Sequence, residues 1–170
     1  MPNLIASQTL SSSTATFSFS SIPSTFTDLF VVGSLRCDES SFTNEQIRIR
    51  FNAVSTASYY FGTIRGDGSA ATSSRGDDLT SGFVGLMNTN ATTTNAFSSF
   101  VISIPSYRSS IPKPSSTFTA MEDNATVAYT TSLSNLALIN APITSITFTT
   151  ANSRNFVSGT SFYLYGQKNS

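Results

Sequence analysis

Apolar and polar residues alternate with a period of two along most of this chain. In Thr14-Ala15-Thr16-Phe17-Ser18-Phe19-Ser20, hydroxyls alternate with apolar side chains, and in Gln46-Ile47-Arg48-Ile49-Arg50-Phe51 apolar residues alternate with Gln and Arg. Ser145-Ile146-Thr147-Phe148-Thr149 and Ser161-Phe162-Tyr163-Leu164-Tyr165 continue the theme. Successive strand residues point to opposite faces, so this pattern predicts antiparallel strands with one face in a core. The i, i+2 sets place Phe17, Phe19, Ile47, Ile49, Phe51, Phe148, Phe162 and Leu164 inward.

Leu29-Phe30-Val31-Val32 is a continuous apolar run and predicts a strand covered on both faces. Further strands are predicted over 58–64, 79–87, 97–104, 116–121, 126–133 and 136–139. Pro and Gly punctuate the intervals: Ile22-Pro23, Arg65-Gly66-Asp67-Gly68, Ile104-Pro105, Pro112-Lys113-Pro114, Ala141-Pro142 and Ser158-Gly159. The stretch 66–76, rich in Gly, Ser and Ala, reads as a mobile loop. No helix of ordinary length fits. Many short strands between regular turns predict one all-β domain over residues 1–170, an antiparallel β-sandwich of the jelly-roll kind.

Composition narrows the partners. Nine basic and nine acidic residues cancel, so no net field favours nucleic acid or an anionic membrane. Charged residues make up 11% of the chain, against about 25% in a typical domain. The polar surface falls instead to 32 serines and 24 threonines. Hydroxyl-rich, weakly charged strand faces suit packing against copies of the same chain or against a partner, because a hydroxyl rotates to find a hydrogen bond where a charge costs desolvation. Fourteen Phe and six Tyr, spread along the sequence, supply a core that a Ser/Thr linker would lack. No run reaches the 18 or so apolar residues of a spanning helix. The first residues lack the basic region and apolar core of a secretion signal, which implies synthesis and folding in a cytoplasm.

Candidate chemistry is sparse. The chain has no histidine, hence neither a Ser-His-Asp nor a Cys-His site, and its one cysteine excludes an intrachain disulfide. Cys37, beside Arg36, reads as a small buried filler; an activated thiol is the alternative. Asp38-Glu39, Asp77-Asp78 and Glu122-Asp123 are adjacent carboxylates in turn-like contexts, where strand neighbours point apart, so acid–base catalysis is not expected. Asp67, Asp77 and Asp78 supply oxygens of the kind calcium takes, and solvated turn carboxylates are the plainer reading. Two Arg-Gly-Asp tripeptides, at 65–67 and 75–77, read as turn chemistry. No catalytic, cofactor or metal residues are therefore assigned. Tyr59, Tyr60, Phe61, Tyr107 and Arg108 are a candidate aromatic platform for a glycan, with core packing as the alternative. Arg36, Arg48 and Arg50 read as outward arginines, a concentration of charge in a chain that has little, and are the candidate interface residues.

The segment from Thr16 to Leu29, an alternating strand, an Ile22-Pro23 turn and a Thr27-Asp28-Leu29 entry to the next strand, resembles a family of small β-sandwich proteins of tailed-phage virions. Arg36, Ile49-Arg50-Phe51-Asn52, Ser58-Tyr59-Tyr60, Asn155-Phe156, Ser158-Gly159 and Leu164-Tyr165-Gly166 follow in that family's order. Ala53-Val54 stands where the family has a Gly-Asp turn, and Gln167 where it has an apolar residue. The resemblance implies a virion protein of a tailed phage and leaves head and tail open. Because the sequence has no coiled-coil stalk and no Trp-rich groove, we read it as a capsid decoration or cement protein, made in the host cytoplasm, that stabilises the shell. The expected partners are copies of itself, as a homotrimer, and other virion proteins such as the major capsid protein. A tail-fibre or adhesin-like module that binds a host surface glycan is the alternative.

Overall fold

The structure, a computed structural model, describes residues 1–169. Twelve strands follow one another along the chain: β1 (Asn3–Thr9), β2 (Thr16–Phe19), β3 (Asp28–Leu35), β4 (Asn44–Phe51), β5 (Tyr59–Gly66), β6 (Ala71–Leu79), β7 (Gly82–Asn88), β8 (Ser98–Ile104), β9 (Lys113–Asp123), β10 (Val127–Ala137), β11 (Ile146–Thr150) and β12 (Ser161–Gln167). No helix occurs among the described residues. The strands form a wide sheet in the order β1-β12-β3-β8-β9-β10-β5-β6 and a narrow one in the order β2-β11-β4-β7. Neighbouring strands are antiparallel throughout. The protein is an all-β antiparallel sandwich.

The core lies where the alternation puts it. Phe17, Phe19, Ile47, Ile49, Phe51, Phe148, Phe162 and Leu164 are all buried between the sheets. Phe162 of the wide sheet stacks on Phe17 of the narrow one at 4.2 Å, and Phe148 and Phe156 close on it at 5.0 and 5.6 Å. Such pairs add about 0.5–1.5 kcal/mol each beyond their area burial. A second cluster, Phe83, Leu86, Met121 and Leu133, joins β7 to β9 and β10. There the surplus strands of the wide sheet fold over the edge of the narrow one, and β7 is buried at all seven positions.

Several expected elements differ. The run Leu29–Val32 is not covered twice: Leu29 and Val31 are fully buried, whereas Phe30 and Val32 lie half-exposed on the outside of the wide sheet. Residues 66–76 are not a loop but most of a hairpin, because Asp67 closes the turn by accepting hydrogen bonds from the Ser69 and Ala70 amides at 2.9 and 2.8 Å. Those bonds hold its carboxyl down, to about 2. The segments 126–133 and 136–139 fall mainly within one strand, β10, and Lys113 and Pro114 open β9 rather than ending a turn. In the segment 79–87, Thr80-Ser81 forms the break between β6 and β7. The strand β1 carries no clean alternation; it is held by pairing with β12. At the turn after β4, Asn52 and Ala53 both take left-handed φ, 52° and 57°, and the Val54 amide donates to the Phe51 carbonyl at 3.0 Å. This tight turn is what a Gly-Asp pair would otherwise make.

Gly85 permits the fold-over. It has φ +147° beside a bulge opposite β4, and an added Cβ would lie 2.3 Å from the Thr119 side chain of β9. Gly85→Ala should destabilise the protein by about 2–4 kcal/mol, the sum of backbone strain and overpacking. Urea denaturation measures the loss, and a midpoint equal to that of the wild type would show that β7 and β9 have room to separate.

Candidate functional site

Most polar side chains near the loops are spent on the fold itself. Arg36, expected to point outward, is buried at 6% exposure. Its Nη1 donates to the Thr93 and Ala96 carbonyls, each at 2.8 Å, and its Nε donates to Asn90 Oδ1 at 3.3 Å. It therefore pins the loop between β7 and β8 from within, where a solvated or intersubunit charge was expected. Five N–H donors in a fixed fork suit this gathering of carbonyls. Lys113 plays the same part elsewhere: it is 1% exposed and donates to the carbonyls of Ser109, Ile111 and Ile139. Burial pushes its ammonium down from the usual lysine range.

The carboxylates are likewise engaged. Asp38 accepts from the Asn155 amide and side chain at 2.8 and 2.7 Å, and buried Glu39 pairs with Arg154 at 2.6 Å. Glu122 accepts from the Asn88 side chain at 2.8 Å and from the Thr93 and Ala125 amides at 3.1 and 2.7 Å. Asp77 pairs with Arg75, and Asp78 accepts from the Tyr60 hydroxyl. Asp67 is committed to its own turn, so the three loop aspartates considered for calcium serve three separate local contacts. No group of three or more metal-ligating side chains occurs among the described residues.

The expected aromatic platform does not assemble. Tyr59 is 1% exposed; its hydroxyl accepts from the Phe51 amide at 3.0 Å and donates to the Val54 carbonyl at 3.2 Å. Tyr107 is equally buried and donates to the Pro23 carbonyl. Tyr60 and Phe61 are both partly exposed but, as neighbours on β5, point to opposite faces, and Phe61 packs edge-on against Phe83 at 5.1 Å; Arg108 is exposed and holds the Ser24 carbonyl at 2.8 Å. Burial of two of the three tyrosines removes the faces a sugar would stack on.

Arg48 and Arg50 do come together. Both project from β4 on the outside of the narrow sheet, where β11 places Thr149 and Thr147 opposite them. They line a cleft of about 270 Å³ with Thr80, Ser81, Thr149 and Thr150. Arg50 Nε donates to the Thr80 carbonyl at 3.0 Å. Arg48 lies over the Phe83 ring at 5.5 Å and donates to Gln46 Oε1. Phe83 and Gln46 in turn line a second cleft of about 170 Å³ beneath the β5–β6 hairpin, with Arg65 on its wall. The Arg65 guanidinium is held 4.3 Å from the Tyr129 ring. The ion pairs among the described residues are Arg75–Asp77 and Arg154–Glu39, so Arg48, Arg50 and Arg65 have no carboxylate in contact. Burial lowers the Arg48 guanidinium from its usual value, partly offset by Glu45. A half-buried guanidinium on an aromatic ring, beside hydroxyls and without a carboxylate in contact, has the donors to pair with a carboxylate.

Sequence reasoning found Arg48 and Arg50 by their outward parity on an alternating strand. It missed Arg65 and Phe83, whose approach depends on the fold-over of β5 and β6 and leaves no local signal. Compared with protein-family models, with curated proteins and with solved structures, the chain matches none.

Two outcomes follow from this geometry. Arg36→Ala should cost about 3 kcal/mol, since it strips charge-assisted bonds from buried carbonyls; thermal unfolding measures it, and an unchanged midpoint would show the loop holds without the guanidinium. Cys37 is fully buried and burial raises its thiol to about 12. Its folded form should resist iodoacetamide at pH 8 and react only in denaturant, because the thiolate is the nucleophile. Stoichiometric alkylation of the native protein would contradict this.

Proposed function

We propose that this chain is a structural protein of a tailed-phage virion, a decoration or cement protein that stabilises the shell. On this reading it is made in the host cytoplasm, assembles in several copies, and seats its Arg48–Arg50 cleft on an acidic segment of a shell protein such as the major capsid protein. The observation that carries the reading is that pair of arginines, placed in a cleft and free of any carboxylate in contact. Half-buried guanidinium groups gain most from a partner that brings the missing charge.

Strand order supports the same reading. The series β1-β12-β3-β8 faces β2-β11-β4-β7, so the chain passes from one sheet to the other at almost every step. We take these eight strands as a jelly roll, the double Greek key used by many viral capsid domains, with the hairpins β5–β6 and β9–β10 added to one sheet. Topology alone does not assign a role. The use of the other charged groups adds to it: Arg36, Lys113, Glu39 and Glu122 brace loops, which suits a protein whose task is to hold a shape. We place no catalytic step in this chain.

Particles lacking the protein test the contact. Purified Arg48→Glu/Arg50→Glu protein, added to such particles, should bind roughly 30-fold or more weakly than the wild type, the loss expected when a desolvated charge pair is reversed. Its melting temperature should stay near that of the wild type, since neither arginine bonds a buried carboxylate. Wild-type occupancy by the double variant would remove the cleft from the contact. Failure of the wild-type chain itself to appear in purified virions would end the virion reading.

A further inference from the structure

We propose that the outward face of the eight-stranded sheet is a docking surface for a second copy of this chain, packed face to face about a two-fold axis. This surface is separate from the arginine cleft and does not rest on the virion reading.

Register alone reveals its composition. One row crosses the sheet from β12 to β5 through Tyr163, Val32, Val101, Phe118, Ser132 and Ile64, each directly opposite the next. Phe118 is 47% exposed, Val101 39% and Ile64 62%. On the central strands this row is flanked by small and hydroxyl-bearing residues: Ser103, Ser116 and Ser134 on one side, Ser99, Ala120 and Thr130 on the other. No charged residue stands in these three rows from β12 to β5. A solvated sheet face ordinarily alternates apolar-in with charged or strongly polar-out, and a large apolar row at its middle marks an interaction site.

The pattern also says what the partner is. A two-fold axis through the middle of the apolar row lays that row on its own copy and exchanges the flanks, so hydroxyls meet hydroxyls. Hydroxyls are donor and acceptor at once and can pair with themselves, as charges of one sign cannot. Such a self-complementary patch gives an isologous contact, which closes at two copies. A trimer would need a heterologous contact from a different surface. Size is adequate: six strands about 4.8 Å apart, with three outward rows about 6.7 Å apart, span roughly 600 Å² per copy. The pair then buries about 1,200 Å², the lower end of the range for specific interfaces.

The competing mode is edge pairing through β6, which is exposed along most of its length and has a free backbone edge. Sedimentation equilibrium of the purified chain, with no particles present, separates the two. The wild type should be a dimer with a micromolar or tighter dissociation constant. Phe118→Glu and, independently, Ser132→Arg should each weaken it by more than tenfold while circular dichroism and melting temperature stay unchanged. Ser132 is exposed and its hydroxyl makes no hydrogen bond in the fold, so that variant folds even if Phe118→Glu does not. Ser73→Pro, whose amide faces the open side of β6, should leave the dimer intact. A wild-type monomer at high micromolar concentration, a dimer that survives both face variants, or one that only Ser73→Pro dissociates would each overturn the proposal. None of these outcomes depends on whether the chain is found in virions.

Discussion

A four-stranded sheet cannot cover an eight-stranded one, and the rest of the molecule is arranged around that mismatch. The strands β1, β12, β3 and β8 have the narrow sheet beneath them, and their inward residues share one core with it. The surplus strands β9, β10 and β5 must either leave their inner face wet or bend. They bend over β7, and the bend requires the close backbone approach that Gly85 allows, with its φ of +147° and Thr119 against it. The consequence for β7 is burial on both faces and loss of its open edge. The consequence for the surface is a concave strip under the β5–β6 hairpin, where β4 turns Arg48 and β5 turns Arg65 toward aromatic rings. Two clefts are thus by-products of covering an edge, one lined by Arg48 and Arg50 and the other by Arg65.

Charge is scarce, and its distribution is selective. Inside the fold, single cations gather carbonyls: Arg36 for the loop after β7, Lys113 for the segments around Ser109 and Ile139. Carboxylates do the complementary work of accepting loop amides, as Asp38 does from Asn155 and Glu122 from Thr93 and Ala125. Irregular backbone near a core needs such partners, because an unpaired buried carbonyl or amide costs on the order of 1–3 kcal/mol. Arg48 and Arg50 differ from these. Arg50 makes one hydrogen bond, to the Thr80 carbonyl, and Arg48 one, to Gln46, besides resting over Phe83; both line a cleft, which is why these two arginines, rather than Arg36, carry the functional reading.

The fold was legible because period two is a direct imprint of a half-buried strand. Phe17 and Phe19, or Ile47, Ile49 and Phe51, announce their faces without any knowledge of their neighbours. What was not legible depends on neighbours. Phe30 and Val32 look like core residues by composition, yet they face outward, since no layer lies above the wide sheet. The Gly-, Ser- and Ala-rich stretch that forms β6 has the composition of a loop; it becomes a strand because Asp67 closes the turn and β5 offers a ladder. The tyrosines failed as a platform for a related reason. Tyr59 alternates inward and its hydroxyl is satisfied by the β4 turn, a partner eight residues away in sequence that pattern reading cannot foresee. Arg36 likewise follows a strand whose end turns inward beneath a loop, so its parity misleads.

The β6 edge and the outer face of the wide sheet are treated in opposite ways. Its β6 edge carries Arg75, Asp77 and Asp78, with the aspartates in a bulge opposite Tyr60 and Asp78 in a left-handed conformation at φ 53°. Charges and a bulge are the usual means of keeping an edge from pairing with another chain. The outer face has neither device, although Ser99, Ser103, Ser116, Ser132 and Ser134 are positions where a lysine or glutamate would fit a solvated strand equally well. A chain that spends several of its few charges on one edge, and none across the central rows of a face with Phe118 and Val101 in its middle, protects the first from association and leaves the second open to it.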